Sequence, residues 1–252
     1  MEKQLPALMK DEPDIKEYLE ALLQGGKTKE IKETKELLDY LDTMDQKFTE
    51  LITEVASLKE TIQTLQNPET RTRLSTIADT LEQAVKRTKE LISNTKESFR
   101  TAVKQSMVDF KSKGKHAVIK TVKTLHFKEA LQNIGRSLAF IEGGVVAFNH
   151  KVNEISAQSR QIKNNFKNIG RIMSGKEVQP YQLDKEKLNM LQRLGKGLSH
   201  KLEILYTKTV STSKKLENIG KSSVKKELKQ IGNNQSNETK SLEKMITQHK
   251  ER

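Results

Sequence analysis

The 252-residue chain has no cysteine and no tryptophan, and only four tyrosines, seven phenylalanines and four prolines. Without cysteine there is no disulfide framework, thiolate zinc site, iron–sulfur cluster or cysteine nucleophile, a pattern that fits a cytoplasmic protein. Apolar runs such as Val145-Val146-Ala147-Phe148 do not exceed four residues, far short of the ~18 that a membrane span needs. The start of the chain, MEKQLPALMKDEPD, lacks the apolar stretch of a signal peptide. With 34% hydrophobic and 31% charged residues, there is too little apolar volume for a thick layered core. The apolar side chains must therefore line stripes of helices.

Catalytic patterns are missing too. The five histidines, His116, His126, His150, His200 and His249, are scattered, with no His-Glu-x-x-His. There is no Gly-x-Ser-x-Gly elbow, no Gly-rich dinucleotide loop and no phosphate-binding Gly-x4-Gly-Lys-Ser/Thr. Asp39 and Asp42 both sit beside apolar seam positions, where exposure is the expectation. An enzyme is not expected, and neither is a cofactor or a metal.

What is present is periodicity. Between Lys29 and Gln66 the apolar positions are Leu37, Leu41, Met44, Phe48, Leu51, Val55, Leu58, Ile62 and Leu65. Their spacing alternates four and three without a break, the 3.5-residue repeat of a coiled-coil seam. A second such seam runs Leu131, Ile134, Leu138, Ile141, Val145, Phe148, Val152 and Ile155, continuing to Met173. A looser stripe from Leu74 to Phe110 is interrupted by Thr88 and Thr95, and a fourth long helix-forming pattern runs from Asp184 to about Ile231. A short helix is predicted over Glu12–Gln24, capped by Asp11 and ended by Gly25-Gly26. Asn67-Pro68 ends the heptad helix, Gly114 is a break, and 174–183 reads as a linker. Gly143-Gly144, inside the second seam, predicts a kink or a close helix crossing. The motif Asn-Ile-Gly-basic recurs at Asn133, Asn168 and Asn218, a small residue beside a seam isoleucine that lets another helix approach. The expected fold is all-α, with long helices forming antiparallel coiled-coil hairpins or an elongated helical bundle.

Charge is segregated. Residues 1–69, an acidic N-terminal arm, carry 9 basic and 16 acidic side chains; residues 70–183, a basic central helical region, carry 21 and 9. Residues 184–252, a basic C-terminal helix with a flexible tail, carry 16 and 8, and the whole chain is +13. The densest basic run includes Lys111, Lys113, Lys115, Lys120 and Lys123; Arg160, Lys163, Lys167 and Arg171 form a second stripe. Such faces track a phosphate backbone electrostatically and largely without sequence preference, or lie on anionic lipid. The acidic arm could also fold onto the basic body as an internal mimic of the anion.

Three segments carry a resemblance: Glu36-Leu37-Leu38-Asp39-Tyr40-Leu41-Asp42-Thr43-Met44-Asp45; Phe110-Lys111-Ser112-Lys113-Gly114-Lys115 with Leu125-His126-Phe127; and Asn168-Ile169-Gly170-Arg171 followed by Gly175-Lys176-Glu177. Over about residues 35–177 the chain resembles a bacterial family of coiled-coil proteins known as a domain of unknown function, carried mostly on integrative and conjugative elements. The resemblance implies a cytoplasmic accessory protein of a mobile element and brings no catalytic residues with it. The expected role is a non-enzymatic interaction protein whose basic faces engage nucleic acid or a nucleoprotein complex. The alternatives are an inhibitor or adaptor gripping a host defence or replication protein through the acidic arm, and a protein on an anionic membrane surface. The heptad seams also allow homo-oligomers.

Overall fold

The structure is a computed structural model that describes residues 8–113, 127–172 and 185–216. A 3-10 turn (Met9–Asp11) leads into α1 (Pro13–Gln24), α2 (Thr28–Gln63), α3 (Pro68–Lys113), α4 (Phe127–Ile172) and α5 (185–216). The all-α helical bundle expected from periodicity is what forms, with no strand among the described residues.

Local chemistry sets the helix boundaries, and in two places it moves them. Asp11 is not the cap of α1. Glu12, held extended at φ −65° and ψ 136° by the following proline, is the cap residue, and Pro13 begins the helix. At the other end Gly26, at φ 68°, turns the chain left-handed, and Lys27 N–H donates to Leu22 O at 2.9 Å. The heptad helix α2 stops at Gln63 instead of Gln66, tightening through Leu65 N–H to Ile62 O at 3.0 Å. Asn67 must be extended ahead of Pro68, and its side chain accepts Thr70 N–H at 2.9 Å, which caps α3.

The four long helices run up, down, up, down. Across α2 and α3, Lys59 meets Asp79 at 2.7 Å, while Lys89 and Lys96 reach Asp45 nearer the start of α2, so the pair is antiparallel. α4 returns along α3, with Gly144 against Leu81. α5 runs back along α4, where Gln192 donates to Asn153 at 2.9 Å. It also closes on α2 through Tyr40–Thr209 (3.0 Å) and Lys215–Glu36 (2.9 Å). α2 and α4 therefore occupy opposite corners, and α1 lies across one end on α2 and α3.

The core follows the seams. Leu37, Leu41, Met44, Phe48, Leu51, Val55, Leu58, Ile62 and Leu65 are all buried, as are Leu131, Ile134, Leu138, Ile141, Val145, Phe148 and Val152; Ile155 is half-buried against them. Thr88 and Thr95 do not open the α3 stripe. They are buried, and each hydroxyl donates within its own helix, to Ala84 O and Leu91 O at 2.8 and 2.7 Å. α4 continues helical through Gly143-Gly144, so the pair marks a close crossing. A Cβ on Gly144 would stand 2.6 Å from Leu81 Cδ2, whereas one on Gly143 would meet open space. A Cβ built on Gly135, in the first Asn-Ile-Gly-basic motif, would stand 3.8 Å from Thr209 Cγ2 on α5, an ordinary contact, so this crossing does not require the glycine. The third motif, at Asn218, lies outside the described residues, as do the linker at 174–183 and the tail.

Candidate functional site

The acidic arm folds against its own basic partners. On α1, Glu12 takes two hydrogen bonds from Arg100 Nε, at 3.1 and 3.0 Å, and one from its Nη2 at 2.7 Å. Glu17 pairs with Lys111 at 2.9 Å, and Asp14 lies 3.8 Å from Lys104. On the other flank of α2, Lys201 reaches Glu54, Lys208 reaches Asp39 at 3.2 Å, and Lys215 reaches Glu36. The guanidinium of Arg100, hydrogen-bonded to Glu12 despite its partial burial, is held above its ordinary pKa.

One acid departs from expectation. Asp42 is buried, with 6% exposure, where its position beside the seam predicts a solvent-facing carboxylate. Its Oδ2 accepts Met9 N–H at 3.0 Å, and its Oδ1 lies 3.0 Å from Lys96 Nζ. Lys96, itself 8% exposed, also donates to Asp45 Oδ2 at 3.0 Å, and Lys89 completes the cluster on Asp45. Burial alone would raise the Asp45 pKa, but hydrogen bonds and charge from Lys89 and Lys96 outweigh it and hold the carboxyl below its usual 3.8. The flank of a two-helix seam is wet. Here the N-terminal turn covers it, and the buried acid needs a cation. Asp39 is exposed, as expected.

The opposite side of the bundle has a different character. α3 and α4 enclose a groove of about 310 Å³ lined by Thr80, Gln83, Ala84, Arg87, Thr88, Arg136, Ser137 and Phe140. Arg87 and Arg136 are exposed and form no ion pair among the described residues, and Phe140 is 63% exposed. No acidic side chain lines this groove. Between α4 and α5 the contacts are neutral amides and hydroxyls: Asn149 donates to Gly195 O at 3.3 Å and to Ser199 Oγ at 3.1 Å.

Of the cations singled out from sequence, Lys111 is exposed but paired to Glu17, and Arg160 is exposed on α4 with no ion pair among the described residues. Lys115, Lys120 and Lys123 lie outside the described residues, as do the side chains of Lys113, Lys163, Lys167 and Arg171. The structure describes the side chains of Lys111 and Arg160 alone from the two predicted stripes. It adds Arg87, from the Lys86-Arg87-Thr88-Lys89 cluster, and Arg136, which no run of basic residues marks. The signal beside Arg136 is the off-seam phenylalanine, Phe140, between Leu138 and Ile141. Among the described residues no cluster of His, Asp and Glu could hold a metal ion, and no helix is long and apolar enough to cross a membrane.

No curated protein and no solved structure matches this chain significantly. A family model matches residues 11–252, which takes in both the acidic arm and the basic C-terminal region that the resemblance over 35–177 left aside. The chain belongs to the family of unknown function DUF6674.

Proposed function

We propose that the protein is a non-enzymatic helical scaffold that binds nucleic acid, or a nucleoprotein complex, through cations its own acids do not neutralise. The observation that carries this reading is the placement of charge. Glu12 and several acids of α2 are paired with Arg100, Lys96, Lys89, Lys201, Lys208 and Lys215 of the adjoining helices, whereas Arg87, Arg136 and Arg160 on α3 and α4 are exposed and form no ion pair among the described residues. A chain of net charge +13 has more cations than its own acids can neutralise. The basic run from Lys111 to Lys123 and the stripe from Arg160 to Arg171 would add to that surplus. The resemblance to proteins of integrative and conjugative elements supports a place in the transfer or upkeep of a mobile element, in the cytoplasm. An adaptor gripping a host protein through the acidic arm has less support, because many of the arm's acids are engaged within the chain.

The test is fluorescence anisotropy of the purified protein against a random-sequence duplex and a single strand at about 50 and 200 mM salt. A loss of affinity of about 10³-fold between the two, on either nucleic acid, corresponds to six or more phosphate contacts and supports the reading. No binding to either at low salt would overturn it, and flotation with anionic but not neutral liposomes would then place the basic faces on a membrane surface.

A further inference from the structure

We infer that the α3–α4 groove is a single-strand site, in which Arg87 and Arg136 hold the phosphate backbone and Phe140 stacks on a base. This deepens the reading just proposed and rests on it.

Three features of this groove carry the assignment. The first is uncompensated charge. The α2–α3 and α2–α5 grooves carry lysines too, but acids across the groove meet them. In the α3–α4 groove two guanidinium groups, one on each wall, have no carboxylate facing them. Guanidinium forks match phosphate oxygens in a bidentate geometry that lysine lacks. The second is Phe140. A phenyl ring 63% exposed on an otherwise polar wall forgoes burial. Beside two arginines it supplies the flat apolar face on which nucleobases stack irrespective of identity. The third is dimension. Helices in contact leave only a groove above their seam, here about 310 Å³, which has room for a base and its sugar but not for a duplex. Gln83, Thr80 and Ser137 supply neutral donors and acceptors for sugar and base edges. The groove volume, about 310 Å³, lies at the lower end of the ~300–1,000 Å³ range of ligand clefts.

The experiment compares full-length protein with the variants R87Q/R136Q, F140A and K32Q/K35Q, using fluorescein-labelled oligothymidine and a random-sequence duplex. Lys32 and Lys35 are exposed on α2 and serve as the charge control. The wild type is expected to prefer the single strand. Loss of both arginines should weaken that binding about tenfold or more and reduce the slope of log K against log salt by about 1.4, two contacts at ~0.7 each. Phe140→Ala should weaken it by roughly 5- to 150-fold and leave the slope unchanged. The control should match the wild type.

If the wild type binds and R87Q/R136Q binds equally well, the groove is not the site, although the function stands. A preference for duplex that F140A leaves untouched overturns the single-strand assignment in the same way. If the wild type binds neither probe, the functional reading itself fails and takes this inference with it.

Discussion

The α2–α3 and α3–α4 interfaces share one helix and the same kind of leucine and isoleucine seam, yet they treat charge in opposite ways. Along α2–α3, Lys59 meets Asp79 and Glu82, while Lys89 and Lys96 close on Asp45 and Asp42. Along α3–α4 the contact is close, with Gly144 on Leu81; Glu154 feels the charge of Arg73 towards one end, while Arg87 and Arg136 beside the groove face water. The difference shows that a seam's strength and its flank's chemistry are separable. The apolar stripe holds both helix pairs together, and the flank decides whether a cation is consumed internally or left for a partner.

The largest way to break the comparison is to strip the cation from the ionic side. Lys96→Met leaves Asp42 charged, buried and without its cation, and should cost about 3 kcal/mol or more in denaturant unfolding. The double variant D42N/K96M should recover most of that loss. A loss below about 1 kcal/mol for Lys96→Met would mean that water reaches the cluster and that its burial carries little energetic weight. A smaller contrast separates the two neighbouring glycines of α4. Gly143→Ala should stabilise by roughly 0.5–1 kcal/mol, since its Cβ meets nothing. Gly144→Ala must displace Leu81, a core residue, and should be less stable than Gly143→Ala by about 1–3 kcal/mol. Equal melting temperatures for the two would show that the crossing is loose.

The smallest effect is a pH dependence with two edges. Asp45 has a folded-state pKa below its ordinary 3.8, so its contribution is present above the unfolded value and disappears as pH falls through the depressed one. Tyr40 is the reverse case. Burial pushes its hydroxyl up to about 12 from 10.0, against a smaller opposite effect of the hydrogen bond with Thr209. The stability from its neutral form is therefore whole below pH 10 and lost as pH rises toward 12. Thermal melts between pH 2 and 12 should show both edges. Asp45→Asn should reduce the acid edge alone, and Tyr40→Phe should remove part of the alkaline one, which buried Tyr18, its hydroxyl also pushed up by burial, shares. An acid edge unchanged in Asp45→Asn would assign it to other carboxylates.

Much of this architecture is legible in particular residues. The nine seam positions from Leu37 to Leu65 all lie in the core, and Pro68 with Asn67 marks the turn to within a few residues. Asp42 was not legible. A heptad read as a two-helix seam leaves its flank wet, and nothing local reveals that Met9, 33 residues away, will lie over it. The helix starts show the same limit. Asp11 has the composition of a cap, but Pro13 forces Glu12 extended and takes over the start of the helix. At the candidate groove, nothing local brings Arg87 together with Arg136, because they come from different helices, 49 positions apart.

By itself the sequence determined which segments are helical and which stripe of each is apolar, because these follow from the 3.5-residue spacing of side chains on one helix and from proline and glycine chemistry between neighbouring residues. It also determined that acids and bases lie in different segments. Only the tertiary structure decided which bases the acids would meet. That depends on helix adjacency, and α2 touches α3 and α5 while α4 stands at the opposite corner. An ion pair holds over a few ångströms and weakens rapidly with distance in water. The acids of α2 can thus neutralise their two neighbours and cannot reach the far face, where Arg136 and Arg160 remain exposed.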